Sequence, residues 1–196
     1  LLLMERYLQR FLSLGQGESR PHVPTDLVQV VDSVASLVRP TARHAGVELS
    51  WEPPAEPVMV EGDGDSLEQM LVNLVINAVE AASRGETAPK NAPPAAKPER
   101  RVTVDLRPSG KELFLEVTDT GSGPDLVVAD RLFEPFATAK PDGTGLGLSV
   151  ARKIAHEHHG EISWNREGDR TRFSVDLSAA RLQAAIAHPH ENIVDD

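Results

Sequence analysis

The sequence predicts a two-layer α/β sandwich, a mixed sheet covered on one face by helices, and three observations carry that expectation. Two long segments repeat apolar residues at the three-to-four spacing of amphipathic helices, and short runs rich in β-branched residues lie between and after them. Two glycine clusters, DTGSG at 119–123 and GTGLGL at 143–148, bracket a stretch with no apolar period, the mark of a long structured loop. With 196 residues and 40% apolar content the chain can bury one substantial core, so one globular domain with ragged ends is expected.

The first fourteen residues, LLLMERYLQRFLSL, place Leu1, Met4, Leu8, Phe11 and Leu12 near one face and Glu5, Arg6, Gln9 and Arg10 opposite. This amphipathic helix stops at Gly15-Gln16-Gly17 and either meets a partner surface or packs back on its own domain. After a turn at Pro21 to Pro24, Thr25 or Asp26 caps a helix carrying Leu27, Val30, Val31, Val34, Leu37 and Val38, which stops near Ala45-Gly46. Strand-like runs follow at Val47 to Trp51 and Val58 to Val60; the prolines at 53, 54 and 57 place them at edges or around a turn.

Asp65 or Ser66 is expected to cap the strongest helix, whose apolar face holds Leu67, Met70, Leu71, Leu74, Val75, Ala78 and Ala82. Gln69, Asn73 and Asn77 recur every four residues and, at ~100° per residue, fall within about 80° of one another with Glu80 between them. Helix propensity does not ask for Asn twice in a helix interior. Either this face is solvated, or its short amides meet a ligand, a metal or a buried partner. Residues 84–101, centred on GETAPKNAPPAAKPER, read as a flexible insertion. Strands are expected from Arg101 to Leu106 and from Glu112 to Thr118 around a turn at Pro108-Ser109-Gly110, the second delivering Asp119 to the loop.

Composition narrows the function. The absence of Cys excludes a disulfide framework, a thiolate metal site and a cysteine nucleophile, and fits a reducing compartment. A net charge of -10 disfavours nucleic acid as a partner. No apolar run reaches the ~18 residues of a membrane span, so this segment is not expected to insert in a bilayer. The chain opens on Leu1 rather than Met and reads as a piece of a larger protein, with a membrane anchor in the parent left open.

The glycine clusters carry the chemistry. DTGSG is either a tight turn or a place where a ligand approaches the backbone, with Asp119 as an acceptor suited to an exocyclic amino group. GTGLGL runs into a helical pattern with Leu148, Val150, Ala151, Ile154 and Ala155, and glycines leading into a helix N-terminus form a natural phosphate site. No apolar strand immediately precedes Gly143, Gly145 and Gly147, which excludes a Rossmann fingerprint, and there is no GK[ST] P-loop.

The ordered set, an Asn-x-x-x-Asn helix, then DTGSG, then FEPF, then GTGLGL, resembles the N, G1, F and G2 boxes of the catalytic and ATP-binding domain of sensor histidine kinases. These belong to the superfamily that also holds DNA gyrase, MutL and the heat-shock chaperone ATPases. The resemblance covers roughly residues 22–178, and FEPFATAKPDGTGLGLSVARKIAHEHHGEI looks most like the nitrogen-regulator type of kinase. It implies the Bergerat-type ATP-binding fold, with ATP as substrate and Mg²⁺ as cofactor. Asp119 would accept the adenine amino group, with Gly121 and Gly123 letting the base approach. Asn77 would hold Mg²⁺ against the phosphates with Asn73 beside it. Gly143, Thr144, Gly145, Leu146 and Gly147 would bend a lid over the triphosphate, and Thr138, Lys140 and Arg84 would face its charge, simple solvation being the alternative for Lys140 and Arg84. Phe133 and Phe136 would pack the lid onto the domain, and the triphosphate would order that lid.

The same resemblance implies a domain plan. Residues 1–17 would end the second helix of a dimerisation and phosphoacceptor hairpin, 18–178 would form the catalytic domain, and 179–196 would be a tail or a linker. Implied partners are that hairpin, a response-regulator receiver domain, and a second copy in a full-length homodimer, in the cytoplasm. Two departures matter. The ATP-hydrolysing relatives carry a glutamate four residues before the metal-binding asparagine; here that position is Asn73, which suits transfer to another acceptor better than hydrolysis. The acceptor histidine is also missing, since His22, His44, His156, His158, His159, His188 and His190 stand in the wrong context. This polypeptide is therefore not expected to phosphorylate itself. Rival readings are a serine kinase or ATPase of the same superfamily and a nucleotide-binding module that regulates a partner without transfer.

Overall fold

The computed structural model describes residues 22–84, 99–139 and 143–180. The expected amphipathic segment 1–17, most of the insertion, Lys140 and nearly all of the tail lie outside those residues. Among the described residues seven strands and three α-helices follow one another as β1 (Val23–Asp26), α1 (Leu27–His44), β2 (Glu48–Trp51), β3 (Met59–Gly62), α2 (Gly64–Arg84), β4 (Arg101–Ser109), β5 (Glu112–Asp119), α3 (Gly147–Glu157), β6 (Glu161–Glu167) and β7 (Arg170–Asp176). Five strands form one sheet in the order β2-β4-β5-β7-β6, with β2 parallel to β4 and the other pairs antiparallel. The expected mixed α/β architecture is the one observed. β1 and β3 form a separate antiparallel pair. β1 occupies the stretch the sequence reads as a turn, because Pro24 needs no ladder hydrogen bond in a two-stranded ribbon.

Local chemistry sets the helix ends. Asp26 caps α1: its Oδ1 accepts from the Val28 N–H at 3.0 Å and from the Val58 N–H at 3.1 Å, which ties the helix start to the strand region behind it. Gly46, at φ +69°, turns the chain off the far end of α1. The cap of α2 differs from both expected residues. Asp63 fills that place: its carboxylate accepts from the Asp65 N–H and the Ser66 hydroxyl, and its carbonyl from the Leu67 N–H. β4 also runs through Pro108 to Ser109, so the turn before β5 is tighter than the proline suggests.

All three helices pack on one face of the five-stranded sheet around α2. Nine α2 residues, including Leu67, Met70, Leu71, Leu74 and Val75, are buried against α1, α3 and the inward row Val102, Val104, Leu115, Val117, Phe173 and Val175. Each such side chain contributes about 1.5 to 3 kcal/mol by leaving water. One stripe of α2 that escapes this packing runs from Asn73 to Arg84, and the cavity lies along it.

A buried imidazole locks the two inner helices together. His158, 1% exposed at the end of α3, donates from Nδ1 to the Ile154 carbonyl at 2.8 Å while its Nε2 accepts from the Asp63 N–H at 3.1 Å. Both nitrogens are thus committed in the neutral tautomer, and a second proton would meet an N–H. The His22 ring stacks on it at 4.7 Å. Burial, first, and the neighbouring His22 lower its pKa below the ordinary 6.5, against opposing effects from the Ile154 hydrogen bond, Asp63 and Glu157. The unfolded chain therefore binds more protons than the fold just below pH 6.5, so His158 supports the fold fully above that pH and loses its contribution on acidification. Melting temperature should fall between pH 7.5 and about 5.5, and His158→Gln should flatten that dependence. Equal slopes for both proteins would show that another group sets it.

Candidate nucleotide site

Between α2, the end of β5 and the 122–148 loop lies a cavity of about 510 Å³, within the range that holds a drug-sized ligand. One stripe of α2 forms its wall: Asn73, Ile76, Asn77, Glu80, Ala81 and Arg84, at helical spacing. Asn73 and Asn77 are brought together there as expected. Gln69 does not line the cavity; the stripe continues instead toward Glu80 and Arg84 at the C-terminal end.

β5 ends at Asp119, 1% exposed, whose Oδ1 accepts from the Gly121 N–H at 2.7 Å. This buried carboxylate lines the cavity, and a carboxylate there is suited to accept from a donor-bearing ligand edge. The two glycines of this turn differ in role. Gly123 lines the cavity. Gly121 does not; a Cβ there would stand 2.5 Å from the Ala81 carbonyl carbon, so its bareness lets the turn lie against the α2 backbone and hold Asp119 in place.

The far side of the cavity is the glycine-rich loop. Thr138, Gly143, Thr144, Gly145 and Gly147 line it, whereas Leu146 serves as the first flanking residue of α3 and contributes no capping side chain. The opening N–H groups of α3 are thus not engaged by a side-chain cap, and they stand beside Asn73, 3.8 Å from where a Cβ of Gly147 would lie. A helix N-terminus of this kind favours negative charge. Gly145, at φ +65°, accepts through its carbonyl from the Phe136 N–H at 2.9 Å and closes the loop on itself.

The two phenylalanines behave differently. Phe133 packs edge-on against Phe173 at 6.3 Å and anchors the loop as expected. Phe136, expected to do the same, is 74% exposed with φ +66°, because its backbone is held to Gly145 in a conformation that turns the ring outward. Val128 and Leu132, flanking a 3-10 turn at Ala129–Arg131, supply the second anchor.

Thr171 and Phe173 on β7 form the floor. Neither is among the site residues expected from the sequence, in which no strand is assigned to this stretch. The alternation of Thr171, Phe173, Val175 and Leu177 with Arg172, Ser174 and Asp176 was the available signal. Thr171 pairs directly with Asp119, so a hydroxyl stands beside the carboxylate on one face of the sheet. The pair offers an acceptor and a donor to one ligand edge.

The donor set also bears on a metal. Among the described residues no cluster of three or more His, Cys, Asp or Glu could hold an ion by itself. An amide oxygen from Asn77 between Asn73 and Glu80 fits a hard cation such as Mg²⁺, which keeps several waters and completes its shell with ligand phosphates.

Known proteins share this sequence pattern and this fold. Residues 62–181 match the family described as histidine kinase-, DNA gyrase B-, and HSP90-like ATPase. The chain is 36% identical over 153 residues to the C4-dicarboxylate transport sensor protein DctS of Rhodobacter capsulatus, covering 78% of this chain and 22% of that protein. To the sensor protein TdiS of Thauera aromatica it is 31% identical over 172 residues, covering 84% of this chain and 28% of the relative. The solved catalytic domain of the histidine kinase ThkA superposes with a TM-score of 0.67 at 25% identity, over 80% of this chain and 95% of that one. The chain thus spans less than a third of the length of either sensor protein while matching nearly all of an isolated catalytic domain.

Proposed function

This chain belongs to the histidine kinase-, DNA gyrase B-, and HSP90-like ATPase family as a catalytic domain of the sensor-kinase kind that binds ATP, and from that premise we propose how its residues work. The adenine amine donates to Asp119, and the triphosphate extends along α2 toward the N-terminus of α3. There the helix N–H groups, Thr138, Thr144 and the lid glycines receive its charge, with Lys140 and Arg84 as cations beside it. Asn77 holds Mg²⁺, with Asn73 at its side; when bound, this ion supplies charge neutralisation on the β- and γ-phosphates. The observation that carries the reading is the alignment of Asp119, Asn77 and the α3 N-terminus along one cavity.

The γ-phosphoryl group passes from ATP to an imidazole nitrogen on a dimerisation hairpin, which belongs to the same kinase and pairs two copies, and then to a receiver domain of a response regulator. Asn73, standing where a water-activating carboxylate would be needed for hydrolysis, favours this transfer. No described helix is long and apolar enough to cross a membrane.

Incubation with γ-labelled ATP and a separately supplied phosphoacceptor hairpin tests this. Acid-labile label should appear on the hairpin and require both this chain and Mg²⁺. The rate should lie far below that of a tethered kinase, since tethering supplies an effective concentration near ~1 mM. Release of free phosphate with no labelled hairpin would identify an ATPase instead.

A further inference from the structure

Three side chains lie in one line across the sheet: Arg166 on β6 pairs with Thr171 on β7, and Thr171 pairs with Asp119 on β5. Arg166 Nη1 donates to Thr171 Oγ1 at 2.8 Å and to the Gly121 carbonyl at 3.0 Å. A guanidinium has donors only, so the Thr171 oxygen must accept in that bond and its own proton must go elsewhere. Thr171 is 1% exposed and lines the cavity, and no acceptor among the described residues takes that proton. The 121–123 turn is built over the guanidinium: Gly123 sits at φ +79°, and a Cβ there would fall 2.7 Å from Arg166 Nη1.

We propose that Arg166 is a positioning residue that sets which purine this site takes, by turning the Thr171 proton into the cavity next to Asp119. It rests on the reading that the Asp119 corner holds the base. The corner then accepts from an exocyclic amine and donates to the adjacent ring nitrogen. Adenine presents that donor and acceptor in the matching order, whereas guanine and hypoxanthine present a carbonyl and an N–H, the reverse. Arg166 itself touches no base. It acts through the hydroxyl and through the carbonyl that fixes the turn.

Calorimetry on the whole chain with ATP, ITP and 1-deaza-ATP, which keeps the amine and lacks the ring acceptor, tests the assignment. The unmodified protein should bind ATP about five- to tenfold more tightly than 1-deaza-ATP. Arg166→Met should lower ATP affinity by about fivefold, leave 1-deaza-ATP unchanged and narrow the ATP-to-ITP preference. Arg166 is exposed on an edge strand, so its truncation opens no core cavity. Arg166→Lys, which keeps a donor, should restore most of the discrimination. Equal losses for ATP and 1-deaza-ATP in Arg166→Met, or no loss, would overturn the proposal while Asp119→Asn still weakened ATP. Insensitivity of ATP binding to Asp119→Asn would instead remove the base from this corner, and the proposal with it.

Discussion

Asp119→Asn should weaken ATP binding by about ten- to a hundredfold, equivalent to roughly 1.5 to 3 kcal/mol. The carboxylate is 1% exposed and one of its oxygens already accepts from the Gly121 N–H. Asparagine keeps a single acceptor. If its oxygen stays with Gly121, its NH₂ confronts the adenine amine; if the amide flips, the same group confronts the Gly121 N–H. Either way two donors face each other where water cannot intervene. Calorimetry checks the affinity, and an unchanged melting temperature would show that the loss belongs to the base rather than to the turn. Equal affinity in the two proteins would withdraw Asp119 from adenine recognition.

Asn77→Ala should reduce labelling of the supplied hairpin by about a hundredfold or more, the scale expected when charge stabilisation at a transferring phosphoryl group is lost. The side chain lies on the cavity stripe of α2 between Asn73 and Glu80, away from the nine α2 residues buried in the core. Alanine favours the helix, so the fold should not suffer. Nucleotide affinity measured in EDTA should match that of the unmodified protein, since the role assigned to this side chain is to hold the metal. Retention of Mg²⁺-dependent labelling would place the ion on other residues.

The elements read most reliably from the chain are those whose signal is local. The α2 pattern from Leu67 to Ala82 needed only its own periodicity, and the Asn73–Asn77 repeat was legible because Asn is costly inside a helix. The two glycine clusters were legible because glycine marks backbone that no side chain allows. Ordered along the chain with FEPF, they were enough to indicate the family.

What tertiary structure alone decided are the relations between segments far apart in sequence. Gly121 was read as room for a base, but only the contact with Ala81 shows that it makes room for a helix backbone. The outward turn of Phe136 follows from a hydrogen bond to Gly145, nine residues on, which the spacing of FEPF does not encode. Asp63 displaced Asp65 and Ser66 as the α2 cap within the same short polar run, because cap identity depends on where the preceding strand ends. Thr171 and Arg166 joined Asp119 only through the register of β5, β7 and β6. A strand's sequence specifies which residues share a face, whereas pairing across the sheet specifies which of them meet.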